Sequence, residues 1–269
     1  MKTFSIHTPN GTVSGFEVGD GKPVVLIAGL GSTSRIWGTL PGALGRKLRV
    51  FAVDNRGVGQ SDDGGPFTLD SAVEDVVALL DDRGIERAAL LGASMGGVIA
   101  LKTAAAHPDR VSRLVIASSA PCLTHHGRRV LEMLQDMLLY APPDRTGAAL
   151  MTLAFAPPFH EKFPGFVTEA DRLYGIDGVD LPGTALQVEH LIEGWDLRPA
   201  LPSIDVPALV LAGDRDPVVA PEETAELAAK LPRAELIRLP HAAHSVLAEG
   251  GEPVLARVSA FLEEKPPRP

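Results

Sequence analysis

Ala88-Ala89-Leu90-Leu91-Gly92-Ala93-Ser94-Met95-Gly96-Gly97-Val98-Ile99-Ala100-Leu101 is the stretch on which the reading of this chain turns. Residues 88 to 92 are small and apolar, as in a strand buried on both faces, and from Val98 to Ala106 the residues suit a helix. Between the two, Gly92-Ala93-Ser94-Met95-Gly96 has the form G-x-S-x-G, a serine carried on a sharp strand-to-helix turn. Side chains at positions 92 and 96 would collide with the adjoining strand and helix, and the turn forces Ser94 into a strained conformation. A serine at a helix N-terminus also meets N–H groups that have no intrahelical partner and that favour developing negative charge. The competing reading is a structural serine in an ordinary βα turn.

On either side of this stretch, short β-rich runs alternate with helical stretches. The runs are Pro23 to Ala28, Arg49 to Asp54, Ala88 to Gly92, Val111 to Ala117, Val206 to Ala212 and Ala234 to Leu239. This alternation predicts an α/β fold with a mostly parallel sheet and helices on both faces. Leu69 to Arg83 reads as an amphipathic helix with Thr68 or Asp70 as N-cap and Gly84 as stop. Residues 2 to 18 read as an antiparallel hairpin at the sheet edge, turning at Asn10-Gly11 in type I′ geometry. Residues 121–200 break the alternation: they contain no convincing strand, several prolines and glycines, and the amphipathic piece Arg128 to Tyr140. The expected organisation is a core formed by residues 1–120 and 201–269 with a helical cap, or lid, inserted as 121–200. An insertion at the C-terminal edge of a parallel sheet lies where ligands bind in such folds, and the alternative is a helical bundle that only packs. The terminal Lys265-Pro266-Pro267-Arg268-Pro269 is expected to fray.

Composition sets the frame for this chemistry. The 269 residues are 45% hydrophobic and 22% charged, enough to bury a large core. A net charge of -9 argues against a nucleic-acid partner, which needs clustered Lys and Arg. The lone cysteine, Cys122, cannot form an internal disulfide and reads as a small buried apolar residue. No secretory h-region follows Met1, and no apolar run is long enough for a bilayer, so a cytoplasmic protein without membrane contact is expected.

A serine hydroxyl needs a base to take its proton and a carboxylate to hold that base. The loop Gly213-Asp214-Arg215-Asp216-Pro217 follows a later strand and offers two acids, of which Asp216 is better placed to turn over the sheet, while Asp214 sits at the strand end. Leu239-Pro240-His241-Ala242-Ala243-His244-Ser245 follows the last strand. His244, flanked by the small Ala243 and Ser245, is the preferred base over His241. The position after Ala117 carries Ser118-Ser119-Ala120 and no acid. An oxyanion needs two backbone donors, expected from Met95 and from Leu30 in Ala28-Gly29-Leu30-Gly31. His125-His126 lacks the spacing and acidic neighbours of a metal cage, so no metal and no cofactor are expected. Arg35 and Trp37, shortly after the glycine loop, are candidates for substrate contact or for packing.

With these pieces placed, the chain resembles the α/β-hydrolase superfamily from about residue 20 to 264. The resemblance is carried by Ala28-Gly29-Leu30-Gly31, Asp54-Asn55-Arg56-Gly57-Val58-Gly59-Gln60-Ser61, the Ser94 turn, Gly213-x-x-Asp216 and Ala243-His244. Within the superfamily it is most similar to the small esterase and 3-oxoadipate enol-lactonase branch. That resemblance implies hydrolysis of a small carboxylic ester or lactone through an acyl-enzyme by a monomer or homodimer. Competing readings keep the fold but make the protein a ligand receptor with little turnover, or a cofactor-free haloperoxidase. One departure stands out: the glycine motif begins with Ala28 where the family usually has histidine.

Overall fold

The structure, a computed structural model, describes residues 1–9, 11–61, 67–175 and 181–264. Eight strands form one sheet: β1 (Lys2–Thr8), β2 (Gly11–Val18), β3 (Lys22–Ile27), β4 (Leu48–Val53), β5 (Ala88–Ala93), β6 (Val111–Ala117), β7 (Ala208–Gly213) and β8 (Ala234–Leu239). Their spatial order is β1-β2-β4-β3-β5-β6-β7-β8. The β1–β2 and β2–β4 pairs are antiparallel and the rest parallel. The expected edge hairpin is present, but Asn10 of its turn lies outside the described residues, as does the 265–269 tail. The fifth expected run begins two residues later than read, at Ala208: Pro207 has no N–H for the ladder, and its carbonyl accepts from Leu114 N instead.

The parallel strands are apolar on both faces because both faces are covered. Along β3, Val25 and Ile27 join one apolar cluster while Val24 and Leu26 join another; Phe51 against Val50 and Ala52 on β4 divide likewise. On the first face pack helices α2 (Leu69–Asp82), α3 (Met95–Ala106) and α9 (Pro221–Lys230); on the second pack α1 (Leu40–Leu44) and α11 (Gly251–Glu263). The start of α2 is set as expected, by Thr68: its hydroxyl accepts from Ser71 N at 2.9 Å, and the Ser71 hydroxyl accepts from Thr68 N at 3.0 Å.

Between β6 and β7 run α4 (His125–Tyr140), α5 (Pro143–Ala154), α6 (Pro157–Lys162), α7 (Pro164–Gly175) and α8 (Leu181–Glu193), and the short α10 (Val246–Glu249) precedes α11. Cys122 is buried where this stretch begins, and an isolated β-bridge from it to Asp196 brings the two ends of the stretch together. Among the described residues no helix is long and apolar enough to cross a membrane.

Beside β4 lies a buried ion pair. The Arg56 guanidinium, 1% exposed, donates to both Asp75 carboxylate oxygens at 2.6 and 2.8 Å, and Thr8 Oγ1 donates to Asp75 as well. Removing one member of such a pair strands the other charge in a low-dielectric interior. Asp75→Ala is therefore expected to cost about 3–5 kcal/mol in urea unfolding. The double replacement Arg56→Met with Asp75→Leu should recover most of that loss, because it leaves no uncompensated charge.

Candidate active site

Ser94 sits between the end of β5 and the start of α3 with φ 53° and ψ -120°, left-handed backbone that a serine adopts only when its surroundings dictate it. Those surroundings are visible. Ser94 N donates to Ala117 O on the adjacent β6 at 2.9 Å, and Ser94 O accepts from Gly97 N and from the Ser119 hydroxyl, each at 2.9 Å. A Cβ on Gly96 would clash with the Ile27 carbonyl oxygen at the end of β3, and one on Gly92 would strike the Gly96 carbonyl. The two glycines thus let α3 start hard against β3 and β5. The Ser118-Ser119 position, read as merely lacking an acid, supplies the hydroxyl that holds the serine's own carbonyl.

Because Ile27 pairs with Gly92, the chain leaving β3 passes alongside Ser94. A Cβ on Gly29 would lie 3.3 Å from Ser94 Cβ. Leu30 follows, and Met95 opens α3, so its N–H has no carbonyl one turn earlier to meet. Two side chains support this glycine turn. Asn55 Nδ2 donates to Ala28 O at 2.9 Å, and Gln187 Oε1 on α8 accepts from Gly31 N at 2.9 Å. Gln187 Nε2 in turn donates to Arg56 O at 2.8 Å. The departure at Ala28 thus leaves the turn held at both ends, by Asn55 and Gln187, and Asp54 fixes the next segment by accepting from Ser34 N at 2.6 Å. Asn55 belongs to a motif quoted from the sequence, but Gln187 was missed. Its one signal is a polar residue at helical spacing among Thr184, Val188 and Leu191, on a face that turns out to be buried.

The acid and base candidates meet because β7 and β8 are neighbours. Their loops lock together through Asp214 N to Leu239 O at 3.0 Å and Arg215 N to Ala242 O at 2.9 Å. Asp216 Oδ1 accepts from Val218 N at 2.8 Å and Val219 N at 3.0 Å, which aims Oδ2 at His244 Nδ1, 2.8 Å away. A carboxylate only accepts, so Nδ1 carries the hydrogen and Nε2 keeps its lone pair. Burial opposes charge on His244, but the Asp216 carboxylate and its hydrogen bond outweigh it and hold the imidazole above its ordinary pKa. The rejected alternatives point elsewhere: Asp214 pairs with Arg238 at 2.7 Å, and His241 is exposed.

Glu249 was also missed. Its Oε1 accepts from Ala243 N at 2.7 Å, beside His244, and its Oε2 from Ala156 N at 3.0 Å in the α4–α8 stretch; burial pushes its carboxyl up. Ser245 N reinforces the link by donating to Ala154 O at 2.7 Å. Ser94, Met95, Leu30 and His244 all border one cavity of about 1500 Å³, roofed by side chains of α4, α5, α6 and α7. Trp37, a core residue, and the exposed Arg35 border it too. The pair His125-His126 is exposed at the start of α4, with His126 Nε2 3.1 Å from Pro217 O.

Gln187 is wholly buried and satisfies one backbone donor and one backbone acceptor. Gln187→Leu keeps the volume but strands both, and each buried unpaired group costs about 1–3 kcal/mol. We expect a loss in that range or above by urea denaturation, with an unchanged far-UV spectrum. A variant as stable as the wild type would show that the glycine turn is held without it.

Comparison with known proteins agrees with this architecture. Residues 22–251 match the family model described as alpha/beta hydrolase fold. The chain is 31% identical over 240 residues to RutD of Yersinia enterocolitica, provisionally named a carbamate hydrolase, covering 86% of this chain and 84% of that protein. Among solved structures, an enol-lactonase from Burkholderia xenovorans superposes with a TM-score of 0.87 at 27% identity, covering 97% of this chain and 100% of its own. A hydrolase from Pseudomonas aeruginosa gives a TM-score of 0.87 at 28% identity, covering 97% and 98%. The chain belongs to the α/β-hydrolase family and is a hydrolase by its relationships.

Proposed function

We propose that the protein cleaves carboxylic esters or lactones through an acyl-enzyme, with Ser94 as nucleophile, His244 as general base and Asp216 as the group that orients and charges-matches His244. The observation that carries this reading is one cavity bordered both by Ser94 at its strained turn and by His244, whose Nδ1 is bound to Asp216 at 2.8 Å. In the proposed reaction Ser94 Oγ adds to the substrate carbonyl carbon while His244 Nε2 takes the hydroxyl proton. The negative charge that forms on the carbonyl oxygen is met by the N–H groups of Leu30 and Met95, preset by the glycine turn and by the α3 start. Collapse expels the alcohol, which takes the proton from His244, and the acyl group stays on Ser94. Water, deprotonated by His244, then adds to the acyl carbon and releases the acid, restoring Ser94. In a lactone the expelled alcohol remains part of the product.

Residues 121–200 act in this reading as a cap. Support comes from the helices α4 to α7 over the cavity and from the two hydrogen-bonded links, Gln187 to the glycine turn and Glu249 with Ser245 to the His244 loop.

Ser94→Ala is expected to abolish p-nitrophenyl butyrate hydrolysis while the protein melts as the wild type does. Asp216→Asn should lower kcat by about three to four orders of magnitude, as loss of the orienting acid does in such triads, and Asp214→Asn should leave it nearly unchanged. Activity that survives Ser94→Ala sinks the assignment, and a larger effect at Asp214 moves the acid. A wild-type protein that turns over none of a broad ester and lactone panel, yet is shifted in Tm by those compounds, would favour a receptor instead.

The pH profile is a separate check. His244 works as a base only when neutral, and its pKa is raised, so kcat/KM should fall on acidification with an inflection above the ordinary histidine value near 6.5. Asp216→Asn removes the field that raises it, and the residual activity should titrate at lower pH. An inflection well below 6.5 in the wild type would contradict the pairing.

A further inference from the structure

We infer that the substrate of this site is an uncharged ester with an apolar acyl chain longer than butyryl, and that the helical stretch α4 to α7 supplies the groove for that chain. The inference rests on the Ser94 reading above and adds the class of molecule. At about 1500 Å³ the cavity exceeds the roughly 300–1,000 Å³ that drug-sized ligands need, so a two- or four-carbon acyl group would leave most of it unfilled. Its roof is built from Leu134 and Met137 of α4, Leu150 of α5, and a ring cluster of Phe155, Phe159 and Phe166. Phe155 and Phe159 stack with centroids 4.7 Å apart, and Phe166 meets each of them edge-on at 5.7 Å.

This lining runs out to solvent. Phe155 is 6% exposed at the inner end of the cluster, whereas Phe166 is 52% exposed at the outer end. Ser94 and this ring cluster border the same cavity, so an apolar chain reaching Ser94 can lie against the rings.

Charge selects against anions. Apart from His244, the one cationic side chain among the described lining residues is Arg35, which is exposed, whereas Asp54 and Glu223 contribute carboxylates. A substrate carboxylate would lose its hydration on entering and find no buried cation among the described lining residues to replace it. Each methylene moved from water into such a wall is worth a factor of roughly three to four in transition-state binding when fully buried.

The test is kcat/KM across p-nitrophenyl acetate, butyrate, hexanoate and octanoate, together with the p-nitrophenyl monoester of adipic acid, which matches hexanoate in chain length but ends in a carboxylate. We expect octanoate to exceed acetate by about tenfold or more, and the adipate monoester to fall at least about tenfold below hexanoate, since no buried cation among the described lining residues meets its charge. A profile that is flat or falls with chain length, or an adipate monoester as good as hexanoate, overturns the inference. Met137→Lys, which sets a cation in the roof, should shrink the octanoate-to-acetate ratio several-fold and improve the adipate monoester; a folded variant with neither change also counts against it. Ser94→Ala runs beside every series. A flat profile that vanishes in Ser94→Ala overturns the groove alone, whereas a rising profile that persists in Ser94→Ala supports the groove and overturns the nucleophile.

Discussion

The backbone of Ser94, held at φ 53°, is the constraint from which the rest of the site follows. A serine leaves the left-handed region as soon as nothing prevents it, and here β6 on one side and α3 on the other prevent it, through Ala117 O, Gly97 N and the Ser119 hydroxyl. Gly92 and Gly96 make the arrangement possible, since a side chain at Gly96 would push α3 off the carbonyls at the end of β3 and one at Gly92 would strike α3 itself. The same close approach brings Gly29 against Ser94 and so sets Leu30 and Met95 on one wall of the cavity. Turn, helix start and neighbouring loop are one object, which is why strain at a single residue is sustained.

The second organising feature is the use of carboxylates and amides as backbone acceptors. Asp54, Asp216 and Glu249 each accept from two backbone N–H groups, so loops that carry no regular secondary structure still have a fixed geometry. Gln187 extends this to the helical stretch, joining Gly31 N to Arg56 O, and Arg56 is itself anchored by Asp75. A chain of buried polar contacts therefore runs from the sheet edge at Thr8 to the glycine turn beside Ser94. Movement of α8 would be felt at that turn, and movement of the Ala154–Ala156 segment at the His244 loop, so the helices over the cavity are mechanically tied to both sides of the proposed triad.

Relatives of this family carry names as different as carbamate hydrolase and enol-lactonase on one frame. In this chain Ser94, Asp216 and His244 stand just beyond strand ends, where register is set by the sheet, and helices build the cavity roof. Among the described residues that border the cavity, the roof is phenylalanine- and leucine-rich and carries no cationic side chain, which is the physical basis for inferring a neutral, apolar substrate.

What the sequence determined by itself was whatever local pattern and steric necessity can specify. Strand runs, the Thr68 cap, the glycine-flanked serine and the order of Asp216 and His244 all depend on neighbours within a few residues, or on a turn chemistry that few residues satisfy. That Asp216 rather than Asp214 lies beside His244 was legible because the two sit differently relative to a strand end, and Asp214 pairs with Arg238 instead. Gln187, Glu249 and Ser119 were not legible. Each acts on a partner between 6 and 156 residues away, and nothing in the local sequence of a helical glutamine or glutamate says which distant N–H it will meet. Only the tertiary structure, which folds α8 onto the glycine turn and α10 beneath the His244 loop, decided those contacts, because a buried polar side chain takes its role from whichever unpaired backbone group the packing brings to it.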